Sequence, residues 1–219
     1  ILLDEQLNEI ILSKNKPDYI IFMPFGGDIE QTFNLLEQAE ISFVTLERTY
    51  EQHLYLKKIG QPLGIFSYWI GEVFFNNFQA GELLAQSLLH HAKKRLNNKV
   101  VSYKALGLSG DFHSESSKRN EGLLTFYQQS GIDIKQIVHT NWLKDMAKSK
   151  LLKLFERYGK VDIVWCASDL NAIGALEGIR QLTLQPNQDV FIGGIDWAPM
   201  ALERIHKNQL TASVGGHIF

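Results

Sequence analysis

Apolar runs alternate with amphipathic stretches along the chain. Tyr19-Ile20-Ile21-Phe22-Met23 is a continuous apolar run, the pattern of a strand covered on both faces. Pro24 and Gly26-Gly27 end it, and Asp28 stands where it can cap a helix running to about residue 39. Ahead of it, Leu2, Leu3, Leu7, Ile10 and Ile11 share one helical face, and Pro17 stops that helix. Residues 41–46 read as a second buried strand and 65–69 as a third. Beyond them the periodicity predicts helices over 78–94, 114–130, 144–158, 171–181 and 199–207. Strands are expected over 100–109, 134–139, 161–167, 190–195 and 210–214. Met146, Leu151, Leu152 and Phe155 form the predicted apolar face of the helix over 144–158.

Strands alternating with helices in this way mean an α/β fold of parallel sheets wound by right-handed crossovers. Ligands of such sheets bind beyond the carboxyl ends of the strands. Those ends read Met23-Pro24-Phe25, Leu46-Glu47-Arg48, Leu108-Ser109-Gly110, Asn141-Trp142, Ala167-Ser168-Asp169 and Ile195-Asp196-Trp197. Polar and aromatic residues gather there.

Composition narrows the function classes. Among 219 residues, 22 Lys and Arg face 24 Asp and Glu, a balance that argues against a broad basic surface for nucleic acid. One cysteine, Cys166, excludes an internal disulfide and a multi-cysteine metal site. No apolar run approaches the roughly 18 residues of a membrane span, and no charged-then-apolar leader opens the chain.

Four segments carry a resemblance. They are Gly107-Leu-Ser-Gly-Asp111 with Ser117-Lys-Arg-Asn-Glu-Gly122; Asp162-Ile-Val-Trp-Cys-Ala-Ser-Asp-Leu-Asn-Ala-Ile-Gly-Ala175; Gly193-Gly-Ile-Asp-Trp197; and Ile41-Ser-Phe-Val-Thr-Leu-Glu-Arg48. In order and spacing the chain resembles the type I periplasmic sugar-binding proteins, the ribose-binding group, and the related effector domains of lac-type repressors. The resemblance implies two doubly wound parallel-sheet lobes joined by hinge strands, with a ligand cleft between them. Residues 1–75 would be part of the first lobe, 76–214 the second, and 215–219 a hinge crossover where Gly215-Gly216 supplies a loose backbone. It also implies incompleteness at both ends: the family's first strand and helix would precede Ile1, and a returning piece of the first lobe would follow Phe219.

A sugar offers hydroxyls on its rim and C–H groups on its faces, so its site needs charged planar groups and aromatic rings in a concave setting. The resemblance places ligand contacts at Glu47 and Arg48, with Glu standing for the usual Asp, at Arg119, at Asp196, and at Ser168 where the family often carries Asn. Trp142 matches an aromatic that stacks on the sugar, and His217 a polar contact after the hinge. Trp197 is a stacking wall or a loop anchor. Asn76 and Asn77 stand near the first crossover, within reach of the cleft as ligand contacts, and Phe25 and Trp69 would line it on the first-lobe side. Plainer roles stand beside these. Glu47 and Arg48 would make a surface ion pair, Arg119 an exposed helical residue, Trp142 a core aromatic and His217 a structural group. Asp196 would cap the helix at Pro199, Asn77 the helix from 78, and Asp169 the helix after Ser168.

Catalytic chemistry finds no support. The seven histidines lack metal spacing, Cys166 sits in an apolar run, and no nucleophile elbow, Walker loop or dinucleotide fingerprint occurs. The expectation is a monomeric periplasmic solute-binding protein without cofactor, metal or nucleic acid. It would hold a small polar ligand, a sugar or sugar-like molecule, for a membrane transporter or sensor. The alternative is the effector domain of a lac-type regulator; an enzyme on the same scaffold and a degenerate lobe pair used for protein contact are further rivals.

Overall fold

The computed structural model of the protein describes residues 2–24, 28–46, 59–96, 102–112 and 114–215. The chain divides into two compact units, Ile1–Phe75 and Asn76–Phe219.

The first unit contains α1 (Leu2–Leu12), β1 (Tyr19–Phe22), α2 (Ile29–Gln38), β2 (Ser42–Leu46) and β3 (Trp69–Val73). Its strands form a parallel sheet in the order β1-β2-β3. Asp28 caps α2, accepting from the N–H groups of Glu30 and Gln31 at 3.1 and 3.4 Å. Phe33 anchors the core, edge-on to Phe43, Trp69 and Phe66 with ring centroids 4.8 to 5.3 Å apart.

Two expectations need correction here. Strand β1 is covered on one face only: Phe22 is buried, while Tyr19 and Ile21 are 67% and 66% exposed. Alternate residues of a strand point to opposite faces, and an apolar run does not reveal whether both are covered. The third strand begins at Trp69, not at 65. Residues 61–68 form a turn closed by Gly64 N–H to Gln61 O at 2.9 Å and Leu63 N–H to Trp69 O at 2.8 Å. Phe66 enters the core from that turn and Ile65 is exposed. Trp69 is itself a core residue, 2% exposed, donating from Nε1 to Thr45 Oγ1 at 3.1 Å, so it lines no ligand surface.

The second unit contains α3 (Asn77–Leu96), β4 (Lys104–Ser109), α4 (Ser114–Ser130), β5 (Asp133–His139), α5 (Lys144–Tyr158), β6 (Ile163–Cys166), α6 (Asp169–Gln181), β7 (Phe191–Ile195), α7 (Pro199–His206) and β8 (Ala212–Val214). All neighbours in its sheet are parallel, in the order β5-β4-β6-β7-β8. Helices α5, α6 and α7 bury Leu151, Leu154, Ile179 and Ala201 against Leu106, Leu108, Val164 and Ile192. Helix α3 packs from the other side, where Leu84 and Leu88 lie over Gly193. The buried stripe of α5 is rotated from the expected one: Ala147 and Leu154 are buried, whereas Met146 and Leu152 are half-buried. The chain leaves β4 outward to β5 and then returns across it to β6. The strand order reverses at this point, and the crevice beyond β4 and β6 is where such sheets hold ligands.

Candidate functional site

Arg119 lies on α4, just after β4, and is 6% exposed. Its Nε donates to Asn77 Oδ1 at 2.8 Å and its Nη1 to the Ala167 carbonyl at 2.6 Å. The same Nη1 lies 3.4 Å from Asp196 Oδ1, and the guanidinium sits 5.6 Å from the Trp142 ring centroid. The segments that follow β5, β6 and β7, with the start of α3, thus converge on one cation.

Asn77 is buried and serves Arg119 instead of capping α3. The cap is Asn76, whose Oδ1 accepts from Gln79 N–H at 3.0 Å. Trp142 follows β5 in a left-handed conformation, φ 61°. Its indole lies on Gly110: a Cβ there would stand 2.2 Å from Trp142 Cζ2. Glycine at 110 is therefore what lets the ring reach Arg119.

The cap expected of Asp169 falls one residue earlier. Ser168 caps α6, accepting Asn171 N–H on its Oγ at 3.2 Å. Asp169 is the first residue of the helix, fully buried, and its carboxylate turns to the loop after β7. It accepts from Ala198 N–H at 2.8 Å and from Ser213 Oγ at 2.8 and 3.0 Å. Burial pushes its carboxyl up to about 6; the bonds from Ala198 and Ser213 oppose that rise, and the nearby Asp196 charge adds to it.

Asp196 does not cap α7. That helix begins after Ala198 with no side-chain cap, and Pro199 fills its first turn, where a missing N–H costs nothing. Asp196 instead takes φ 138° and points one carboxylate oxygen at Arg119 and the other at Asp169 N–H, 3.4 Å away. Trp197, φ 57° and 52% exposed, donates from Nε1 to Ser213 O at 3.0 Å and from its backbone N–H to Ser213 Oγ at 3.2 Å. Its ring covers Gly215, where a Cβ would stand 1.9 Å from Trp197 Cγ. Gly215 is thus needed for close approach and does not use a left-handed backbone.

Glu47, Arg48, His217 and Phe25 lie outside the described residues, as does 216–219 of the expected crossover. Sequence reasoning missed Asn171, Thr140 and Ser213. Asn171 Nδ2 donates to the carbonyls of Leu108 and Ser109, both at 3.3 Å, and joins the end of β4 to α6. Thr140 Oγ1 lies 2.7 Å from Ser109 O and 2.8 Å from Asn171 Oδ1, bringing β5 into the same net. Asn171 carried one signal, since a serine three residues earlier is a good cap; nothing local marks Ser213.

Cys166 is fully buried beneath the site, and burial first, then the Asp169 charge, pushes its thiol well above the ordinary range. Among the described residues no group of His, Cys, Asp or Glu is arranged to hold a metal ion, and no helix is long and apolar enough to cross a membrane.

Residues 4–217 match the family model of the periplasmic binding protein domain. No curated protein sequence matches the chain. Solved structures share its fold. A periplasmic sugar-binding protein from Pseudomonas fluorescens is 23% identical with a TM-score of 0.76, and the match covers 95% of this chain and 60% of that one. An ABC transporter periplasmic solute-binding protein from Actinobacillus succinogenes, with bound D-allose, is 21% identical with a TM-score of 0.80, covering 95% and 69%. The periplasmic binding component of the arabinose ABC transporter from Shewanella, bound to arabinofuranose, is 16% identical with a TM-score of 0.77, covering 97% and 66%. The chain therefore spans 60% to 69% of the length of these structures.

Proposed function

The chain belongs to the periplasmic binding protein domain family, and from that premise we propose that it binds a sugar-sized polar ligand, unaltered, in the periplasm for a membrane transporter or sensor. The observation that carries this reading is the Arg119 guanidinium. It is buried, held in one orientation by Asn77 and the Ala167 carbonyl, and faced by the Asp196 carboxylate. A planar cation and a carboxylate fixed side by side can donate to and accept from neighbouring hydroxyls at once. The half-exposed Trp197 ring beside them offers a face for sugar C–H groups. Neighbours of the same fold hold D-allose and arabinofuranose, which places monosaccharides first in the ligand search.

Ligand that binds only the native state raises stability by about 2.7 kcal/mol at a hundredfold excess over Kd. For a chain of this size that is a rise of roughly 5–10 °C in melting temperature. The test is a thermal-shift screen of the full-length protein against D-allose, D-ribose, D-galactose and L-arabinose, repeated with Arg119→Ala. A sugar that raises Tm in the wild type and not in the variant supports the reading. No shift with any sugar, or chemical turnover of one, refutes it.

A further inference from the structure

We propose that Asp169 is a positioning residue for the ligand face: its buried carboxylate, acting through Ser213 and the Ala198 N–H, holds the 196–198 loop in the conformation that aims Asp196 at Arg119 and stands the Trp197 ring in solvent. The proposal rests on the sugar-binding reading above.

The loop does not hold this shape by itself. Asp196 and Trp197 are consecutive non-glycine residues at φ 138° and 57°, and such backbone persists only where its surroundings over-determine it. Here every loop residue is tied to one net. Ala198 N–H donates to the Asp169 carboxylate at 2.8 Å. Trp197 N–H donates to Ser213 Oγ at 3.2 Å, and Ser213 Oγ in turn donates to Asp169 at 2.8 Å. Asp169 N–H points back to Asp196 Oδ2 at 3.4 Å. The three parts come from α6, β8 and the β7–α7 loop, so the net spans the carboxyl edge of the sheet.

Asp169 has no other task in view. It is fully buried, whereas Trp197 is half-exposed. It does not cap its own helix, because Ser168 does. Its Oδ1 rests on Gly194, where a Cβ would stand 2.4 Å away, so the carboxylate has a shaped berth on the backbone of β7. Burying an acidic group is costly unless its bonds are satisfied, and the bonds that satisfy this one all lead to the ligand loop.

The test uses full-length ¹⁵N-labelled protein and two readouts: the Trp197 indole Nε1–H resonance, assigned with Trp197→Phe, and titration with D-allose, D-galactose and L-arabinose. Asp169→Ala shifts the Trp197 resonance, speeds its hydrogen exchange, and weakens the best of these sugars about tenfold or more. Asp169→Asn restores both, within about threefold in affinity, because its amide oxygen accepts from Ala198 and its NH₂ donates to Ser213 Oγ. Ser213→Ala reproduces the Trp197 shift and carries the test if Asp169→Ala does not fold. An unmoved Trp197 resonance in Asp169→Ala and Ser213→Ala overturns the proposal, as does Asp169→Asn being as impaired as Asp169→Ala. If no sugar binds the wild type, the function proposed above fails, while the indole resonances still decide the role of Asp169.

Discussion

Arg119 of α4 and Asn77 of α3 are joined by a 2.8 Å hydrogen bond from guanidinium Nε to amide oxygen, buried and 42 residues apart in sequence. The bond fixes the guanidinium plane from its rear edge, so orientation does not depend on the ligand. Asn77→Ala removes the acceptor that Nε of this buried cation uses. The expected cost is about 1.5–3 kcal/mol of stability and about a tenfold loss of sugar affinity. Urea denaturation and titration calorimetry read the two effects separately. Unchanged affinity would show that Asn77 does not orient Arg119.

Gly110 gives a second test through packing. A methyl group there would meet Trp142 Cζ2 at 2.2 Å and Ser116 Oγ at 2.4 Å. Gly110→Ala should displace the indole and cost about 1–3 kcal/mol, with a change in tryptophan fluorescence and weaker sugar binding. Gly131 is the control. It sits at φ +68° with nothing within 4 Å, so Gly131→Ala costs about 1 kcal/mol from backbone strain alone and leaves fluorescence and binding unchanged.

What could be read from sequence follows from how local each signal is. The helices over 114–130 and 144–158 were legible to the residue, since the periodic pattern lies within each segment. Arg119, Trp142 and Asp196 could be nominated because each matches a ligand position of the family the sequence resembles. Their mutual geometry could not, because Asn77, Ala167 and Asp196 stand 42 to 77 residues from Arg119. The cap of α6 was placed on Asp169 instead of Ser168 for a related reason. Both are good caps, and the choice between them is made by Ser213 and Ala198, 44 and 29 residues from Asp169. The third strand was misplaced because Gly71 and Glu72 lie inside it and dilute its apolar pattern.

The buried Asp169 makes stability depend on pH in an unusual sense. Its carboxyl sits at about 6 in the fold against an ordinary 3.8, so the unfolded chain releases this proton first as pH rises. The contribution to stability is therefore full below pH 3.8, falls between 3.8 and 6, and is flat above, a loss on the order of 3 kcal/mol. Asp189 acts oppositely, because the Lys160 hydrogen bond and the Gln185 N–H hold its carboxyl below the usual range. The residue's own effect is isolated by comparing wild type with Asp169→Asn at each pH. Wild-type stability relative to the variant should drop by about that amount from pH 3.5 to 7. A difference that stays flat would mean that Asp169 ionises freely in the fold.

Cys166 offers a reporter that needs no added label site. It is the chain's one cysteine, fully buried in β6, with its thiol pushed well above the ordinary range by burial and by the Asp169 charge. The thiolate is the reactive form, so a disulfide reagent at pH 7.5 should modify the folded protein only through opening of the second unit, far more slowly than the urea-unfolded chain. Sugar that binds the native state must slow modification further, by the factor one plus ligand concentration over Kd. The slowing should vanish in Arg119→Ala, because that variant retains the buried cysteine and loses the binding group. Modification of the native protein at the unfolded rate would mean that β6 is not buried in solution. Sugar-dependent slowing that survives in Arg119→Ala would move the ligand away from that guanidinium.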